Sequence, residues 1–204
     1  MPTYPRAGIV LLSATLMLTG CNGMSEERSL HDLNAESRTH VDYEPVNTSA
    51  DVVERATDAA VVRLKYAQPG HQRRILGEVR YEFASLTAEV VEPLHGSSEA
   101  GEVVHLEMMQ PEGSDLEDIR AALPTGEVVA VWSPWTGESP EGTSLTVPEG
   151  GVVDDPPKVL FADGLWYEDS GQLENPMVAG EDPGSPWPHA EDVQDVARSI
   201  KEAG

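Results

Sequence analysis

GEVRYEFASLTAEVVE, residues 77–92, is the longest strand-like run in the chain, and its two parities decide the fold. Leu86, Ala88 and Val90 alternate with Ser85, Thr87 and Glu89, the two-residue period of a half-buried strand. Tyr81 and Phe83 sit on the opposite parity, so a bulge near Ala84 is expected to bring both sets onto one face. Strong coiling of one long strand is what closure of a small barrel requires. Pro93-Leu94-His95-Gly96 ends the run.

Working outward, further short elements follow at turn-separated intervals. AVVRLKY (60–66) reads as a strand with Val62, Leu64 and Tyr66 on one face, closed by a turn at Gln68-Pro69-Gly70. GEVVHLEMM (101–109), EVVAVW (127–132), 158–161 and 165–168 read as further strands, with a short one at 171–175. Val52, Val53, Ala56 and Ala60 recur at helical spacing behind Thr48 or Ser49 as cap, for a short helix up to about Ala56. Ser114-Asp115-Leu116-Glu117 has the form of a capping box, with Ser114 and Glu117 as the reciprocal pair and a helix over 115–122. Val193, Val196, Ala197 and Ile200 mark an amphipathic helix over 190–202, and the Gly-, Pro- and acid-rich 136–157 reads as a loop. The expectation is a mainly β domain over 49–204: a small OB-like barrel of five or six strands, one helix before the first strand, one between strands and one at the C-terminus.

The N-terminal part has a different character. Residues 1–20 carry one charged side chain, Arg6, ahead of an uncharged stretch over 7–18. As a helix that stretch spans roughly 18 Å, well short of a hydrocarbon core about 30 Å thick. It fits the apolar region of a removable signal. Leu18-Thr19-Gly20-Cys21 follows and resembles the bacterial lipobox at all four positions. The resemblance implies cleavage before Cys21, a diacylglyceryl thioether on its sulfur, further acylation such as palmitate, and a location on the extracytoplasmic face of a cell membrane. Two or more acyl chains anchor a protein stably. Residues 21–48 are polar without a sustained period and read as a lipidated flexible tether.

Composition narrows the partners. The formal charge is −23, from 36 acidic against 13 basic residues. A field of that sign repels phosphate backbones and anionic head groups, which excludes nucleic acid and a polybasic membrane patch. One cysteine allows no internal disulfide. No Gly-x-Ser-x-Gly elbow, no His-x-x-x-His, no Cys pair and no Gly-rich phosphate loop occurs, so no catalytic, metal or cofactor set is expected. Asp154-Asp155 and Glu168-Asp169 lack EF-hand spacing. Trp132 and Trp166 lie in strands and read as core. Trp135 and Trp187 lie beside prolines and are candidates for an exposed aromatic binding patch.

The phrases YEFASLTAEVVEPLHG (81–96), GEVVHLEM (101–108), LPTGEVVAVW (123–132) and FADGLWYEDSGQLENP (161–176) resemble a group of actinobacterial secreted or lipid-anchored proteins of uncharacterised function. The resemblance covers about residues 50–202 and implies an OB-like barrel with a C-terminal helix. A broader similarity is to netrin-like and metalloproteinase-inhibitor-like OB domains, whose usual disulfides are absent here. The functional expectation is a surface binding or interaction module for an extracellular protein or a wall component. The alternative is an extracytoplasmic hydrolase with His95 or His105 as base, which requires an imidazole within about 3 Å of a carboxylate or serine. A purely structural envelope protein is the third.

Overall fold

The computed structural model describes residues 28–37, 46, 48–135, 142–176, 187 and 190–204. The segment read as a signal, the lipobox-like Leu18, Thr19, Gly20 and Cys21, and residues His40 and His189 lie outside the described residues. In chain order the elements are α1 (Leu30–Glu36), α2 (Ser49–Arg55), β1 (Asp58–Ile75), β2 (Glu78–His95), β3 (Val103–Met109), α3 (Leu116–Ala122), β4 (Glu127–Pro134), β5 (Thr143–Thr146), β6 (Lys158–Asp169), β7 (Gln172–Glu174) and α4 (Val193–Ala203). No helix among the described residues is long and apolar enough to cross a membrane.

Five strands close into a ring in the order β1-β2-β3-β6-β4, with β4 returning to β1. All neighbours are antiparallel except β3 and β6, which pair in parallel at Leu106 with Lys158 and Glu107 with Val159. The sequence order, the parallel closing pair and the helix between β3 and β4 make this an OB-like barrel.

β1 is one strand of 18 residues, where the sequence suggested a strand and then a turn. Residues Asp58 to Arg63 pair with β4, and β5 takes over that edge only at Gln72. Pro69 falls in the interval with β2 as its only ladder neighbour, where a missing N–H interrupts nothing on the open edge. Against β2, β1 shifts register at five points, with the extra residue on β1 between Leu64 and Tyr66 and between Pro69 and Gln72, and on β2 at the other three. The β2–β3 ladder runs unbroken from Phe83 to Glu89, so the bulge expected near Ala84 sits on the partner strand. Tyr81 is accordingly exposed on the hairpin that β1 and β2 extend beyond the barrel. That hairpin turns at Leu76 and Gly77, both left-handed at φ 53° and 87°, as a two-residue turn requires.

The barrel interior holds Val62, Leu64, Leu86, Ala88, Val104, Leu106, Val128, Ala130 and Trp132. The opposite parity of β1 and β4, Ala59, Val61, Val129 and Val131, is buried too, under Val52 of α2 and Val193, Val196, Ala197 and Ile200 of α4. Burial on both faces explains the unbroken apolar run in β4. Asp115 caps α3, with Asp118 closing the box, and Ser114 instead donates to the Pro111 carbonyl.

Part of the segment read as tether belongs to the domain. Leu30 and Leu33 are buried in the barrel core, and Ser29 caps α1 through the Asp32 backbone N–H. The His31 backbone N–H donates to the Tyr167 hydroxyl at 3.0 Å. Burial pushes that phenol up to about 12, so it stays protonated. Arg28 reaches Asp118 of α3 at 2.7 Å. The reason the pattern hid this helix is its length: two leucines three apart give too short a period to register. Replacing Leu30 by Ala should cost about 2–5 kcal/mol, the range for a leucine truncated in a packed core. Urea denaturation measures it, and an unchanged midpoint would place residues 28–37 outside the folded unit.

Candidate functional site

OB-like barrels commonly bind ligands on the outer face of strands two and three, flanked by loops. Here that face carries Ser85 and Thr87 of β2, His105 and Glu107 of β3 and Gln68 of β1. Residues 147–157, the connection between β5 and β6, reach this surface. Ser85 Oγ donates to the Val152 carbonyl at 2.6 Å, and Gln68 Nε2 lies 3.5 Å from the same oxygen. The His105 backbone N–H donates to Asp154 Oδ2 at 3.2 Å, and Lys158 Nζ holds the same carboxylate at 3.0 Å. A side chain at Gly151 would come within 2.8 Å of the Pro69 carbonyl, so only glycine lets the loop lie this close. The chain's own loop therefore shares the hydrogen-bonding groups of the usual binding face.

Beyond the loop's end, the mouth of the barrel opens into a cleft of about 360 Å³ lined by Thr57, Asp58, Trp132, Pro134, Asp154, Asp155, Pro156 and Lys158. β1 begins here, β4 ends here and β6 begins here, so three strands and one loop fix its walls. Asp58 is committed to structure: its Oδ1 accepts the Ser97 and Ser98 backbone N–H groups and the Ser98 hydroxyl, at 2.8 to 3.0 Å. Those bonds hold the turn at Gly96, where a Cβ would sit 2.3 Å from the Thr57 carbonyl. Trp132 is fully buried, yet its Nε1–H has no hydrogen-bond partner among the described residues.

The candidate histidines are not arranged as a base. His105 Nδ1 lies 3.4 Å from Gln68 Nε2 and from Thr87 Oγ1, and only its backbone N–H meets a carboxylate. His95 ends β2 beside Gly204, and neither imidazole makes an ion pair among the described residues. The histidine that does meet a carboxylate is His71, next to the expected turn at Gln68-Pro69-Gly70. Its Nδ1 and its backbone N–H both lie 2.8 Å from Glu107 Oε1, and both residues are buried. The cause is the β1 bulge, which frees the His71 N–H from the ladder and leaves Glu107 to satisfy it. Gly70 is required beside it, since a Cβ would stand 2.8 Å from Glu107 Oε1 and from the Phe83 carbonyl. The nearby Ser85 hydroxyl is donated to Val152, so the pair serves the coil of the strand.

The aromatic patch is corrected. Trp187 is buried edge-on against Trp166, with ring centroids 5.6 Å apart at 81°. Proline neighbours did not expose it, because the layer between the barrel and α4 has room for a large apolar ring. Trp135 is half-buried against the Arg73 guanidinium, 6.0 Å from the ring centroid, and shares that cation with Tyr81. The two tryptophans form no common surface. No group of three or more His, Cys, Asp or Glu among the described residues could hold a metal ion.

A second buried carboxylate, Asp163, lies where β6 bulges against β4. Its Oδ2 accepts the Val46 N–H at 2.7 Å, while Oδ1 has no partner among the described residues. Burial raises its pKa against the lowering effect of the Val46 bond.

No family model, no curated protein and no solved structure matches the chain.

Replacing Glu107 by Ala strands two buried donors and should cost about 3 kcal/mol in urea denaturation; a loss within error would contradict the assigned role. For Asp163 the folded pKa lies above the unfolded one, so its stabilising effect is complete below the ordinary carboxylate range and is lost as pH rises through the folded value. Asp163→Asn should therefore gain stability relative to the parent as melting is followed from acid to neutral pH. A constant difference across that range would contradict it.

Proposed function

We propose that this protein is a lipid-anchored extracytoplasmic binding module that presents the cleft at the barrel mouth to a ligand outside the cell. The observation that carries this reading is the placement of the two ends. The N-terminal segment docks through α1 on α3 and on the Tyr167 end of β6, whereas the cleft is built at the Lys158 end of the same strand. Only six residues separate Cys21 from Arg28. Even fully extended they span at most about 25 Å. A diacylglyceryl group on Cys21 would hold the α1 end near the bilayer and leave the mouth facing away from it. The extent of negative charge supports the same orientation, since it opposes a flat approach to anionic head groups.

A binding role suits the groups at hand. The cleft offers carboxylate acceptors and two proline walls, with no imidazole among its lining residues. Its volume falls in the lower part of the range of about 300–1,000 Å³ for small-molecule sites.

The anchor and the orientation are tested together on intact cells. With Cys21 lipidated, a membrane-impermeant maleimide should label an Asp155→Cys variant, and Cys21→Ser should release the protein into the medium. Retention of Cys21→Ser with the cells, or an unlabelled Asp155→Cys that reacts after lysis, would overturn the reading.

A further inference from the structure

We propose that the tip of the β1–β2 hairpin is a docking surface for a second copy of this chain, paired edge to edge along β2 about Val79. β2 meets β3 only from Phe83 onward. The last bond on that side runs from the Gln110 backbone N–H to the Glu82 carbonyl at 2.9 Å. Glu78 to Tyr81 therefore pair with β1 on one edge and with no strand on the other among the described residues. An unpaired edge of this kind is a template for another strand. Large apolar side chains are exposed along it: Leu76 at 84%, Val79 at 37% and Tyr81 at 41%. A cleft of about 370 Å³ lies beside the edge, between Arg80, Tyr81 and Glu82 on one side and Met109 to Ser114 on the other. It shares no residue with the cleft at the barrel mouth.

The edge itself selects its occupant. Two identical strands paired antiparallel are related by a twofold axis, so one residue must face its own copy. The open interval lies between the turn at Leu76 and the β3 contact at Glu82, and its midpoint is Val79. Centring the pair there sets Glu78 of each copy opposite Arg80 of the other, with Val79 against Val79. Opposite charges facing each other across a strand pair attract, and like charges repel. Arg80 and Glu78 already meet at 2.9 Å within one chain, both exposed, so the pair closes four charges into an alternating ring. The neighbouring registers fail. Centring on Glu78 sets that carboxylate against its copy. Centring on Arg80 sets arginine against arginine and Glu78 against Glu82, and it runs the second copy onto Phe83, which Met109 already faces.

The same register uses the exposed leucine. It places the Leu76 turn of each copy alongside Glu82 of the other, at the cleft that Met109 and Pro111 help to line. Both copies gain the same contact, as an isologous interface requires. Charge disposition agrees. Two chains of net charge −23 repel over most of their surfaces. This hairpin is locally cationic, with Arg73, Arg74 and Arg80 against Glu78 and Glu82.

Disulfide trapping tests the pair. Cys21 is the chain's one cysteine, so Val79→Cys in a Cys21→Ser background carries a single thiol, which faces its own copy in the proposed dimer. Val103→Cys in the same background is the control: Val103 is more exposed, at 57%, and lies at the far end of the β2–β3 ladder, opposite Glu89. Under mild oxidation with copper–phenanthroline, non-reducing electrophoresis should show Val79→Cys forming a linked dimer much faster than the control. Adding Glu78→Arg sets cation against cation and should slow the linkage about tenfold. Adding Arg80→Glu to that variant exchanges the charges and should restore it. Circular dichroism checks that each variant keeps the fold. Val79→Cys linking no faster than Val103→Cys overturns the proposal, and so does a charge exchange that restores nothing.

Discussion

One strand must hydrogen-bond on both edges for this molecule to exist as a barrel. β1 meets β4 along Asp58 to Arg63 and β2 along nearly its whole length, and the ring closes only there. Ladder partners on both edges take up the backbone groups of that stretch in place of water, and Ala59 to Val62 are buried on both faces. The bulge at Gly70 and His71 coils the strand away from β4, and β5 then covers the vacated edge from Gln72 to Ile75. Glu107, Gly70 and Pro69 are consequences of that one bend: a carboxylate for the freed N–H, no side chain where the carboxylate stands, and an imide nitrogen where no ladder partner is needed.

The same geometry distributes the polar chemistry. Strands β2 and β3 turn Ser85, Thr87, His105 and Glu107 outward, and the 147–157 loop and the bulge engage most of them. At the mouth, Trp132 belongs to the barrel core and is one of the residues that line the cleft. At the opposite end α1 fills the barrel with Leu30 and Leu33, so the ring is plugged below and open above. A sealed end on the side of α1 and an open end away from it is the arrangement on which the proposed function rests.

Much of the architecture was readable because periodicity reports burial. The alternation in 86–90 marked β2, the i, i+3, i+4, i+7 stripe from Val193 to Ile200 marked α4, and the apolar run in 128–132 marked β4. Other features were hidden for physical reasons. Gln68-Pro69-Gly70 has the chemistry of a turn, and only the loss of a neighbour on one edge lets a strand pass through it. β5 is four polar-flanked residues whose pairing comes from β1, not from their own pattern. The α3 cap moved one residue along, because Asp115 and Asp118 form the same box as the Ser114 and Glu117 pair the sequence suggested. Within the site, Trp132 was read as core and is core; its unmatched N–H depends on which groups the fold leaves beside it, which no linear pattern encodes. The His71–Glu107 pair joins residues on different strands 36 positions apart and was equally invisible.

The claim beneath all of this is that the chain from α1 onward is one closed unit, with β1 locked on both edges and α1 seated in its lower end. Native-state amide hydrogen exchange measures it most directly. The account predicts that the β1 amides engaged with β2 and β4 between Ala59 and Val62 exchange only through global unfolding, and that the Leu33 amide of α1 is strongly protected with them. A Leu33 amide exchanging at the rate of an unstructured peptide, or β1 amides that open while the β2–β3 ladder stays protected, would contradict it.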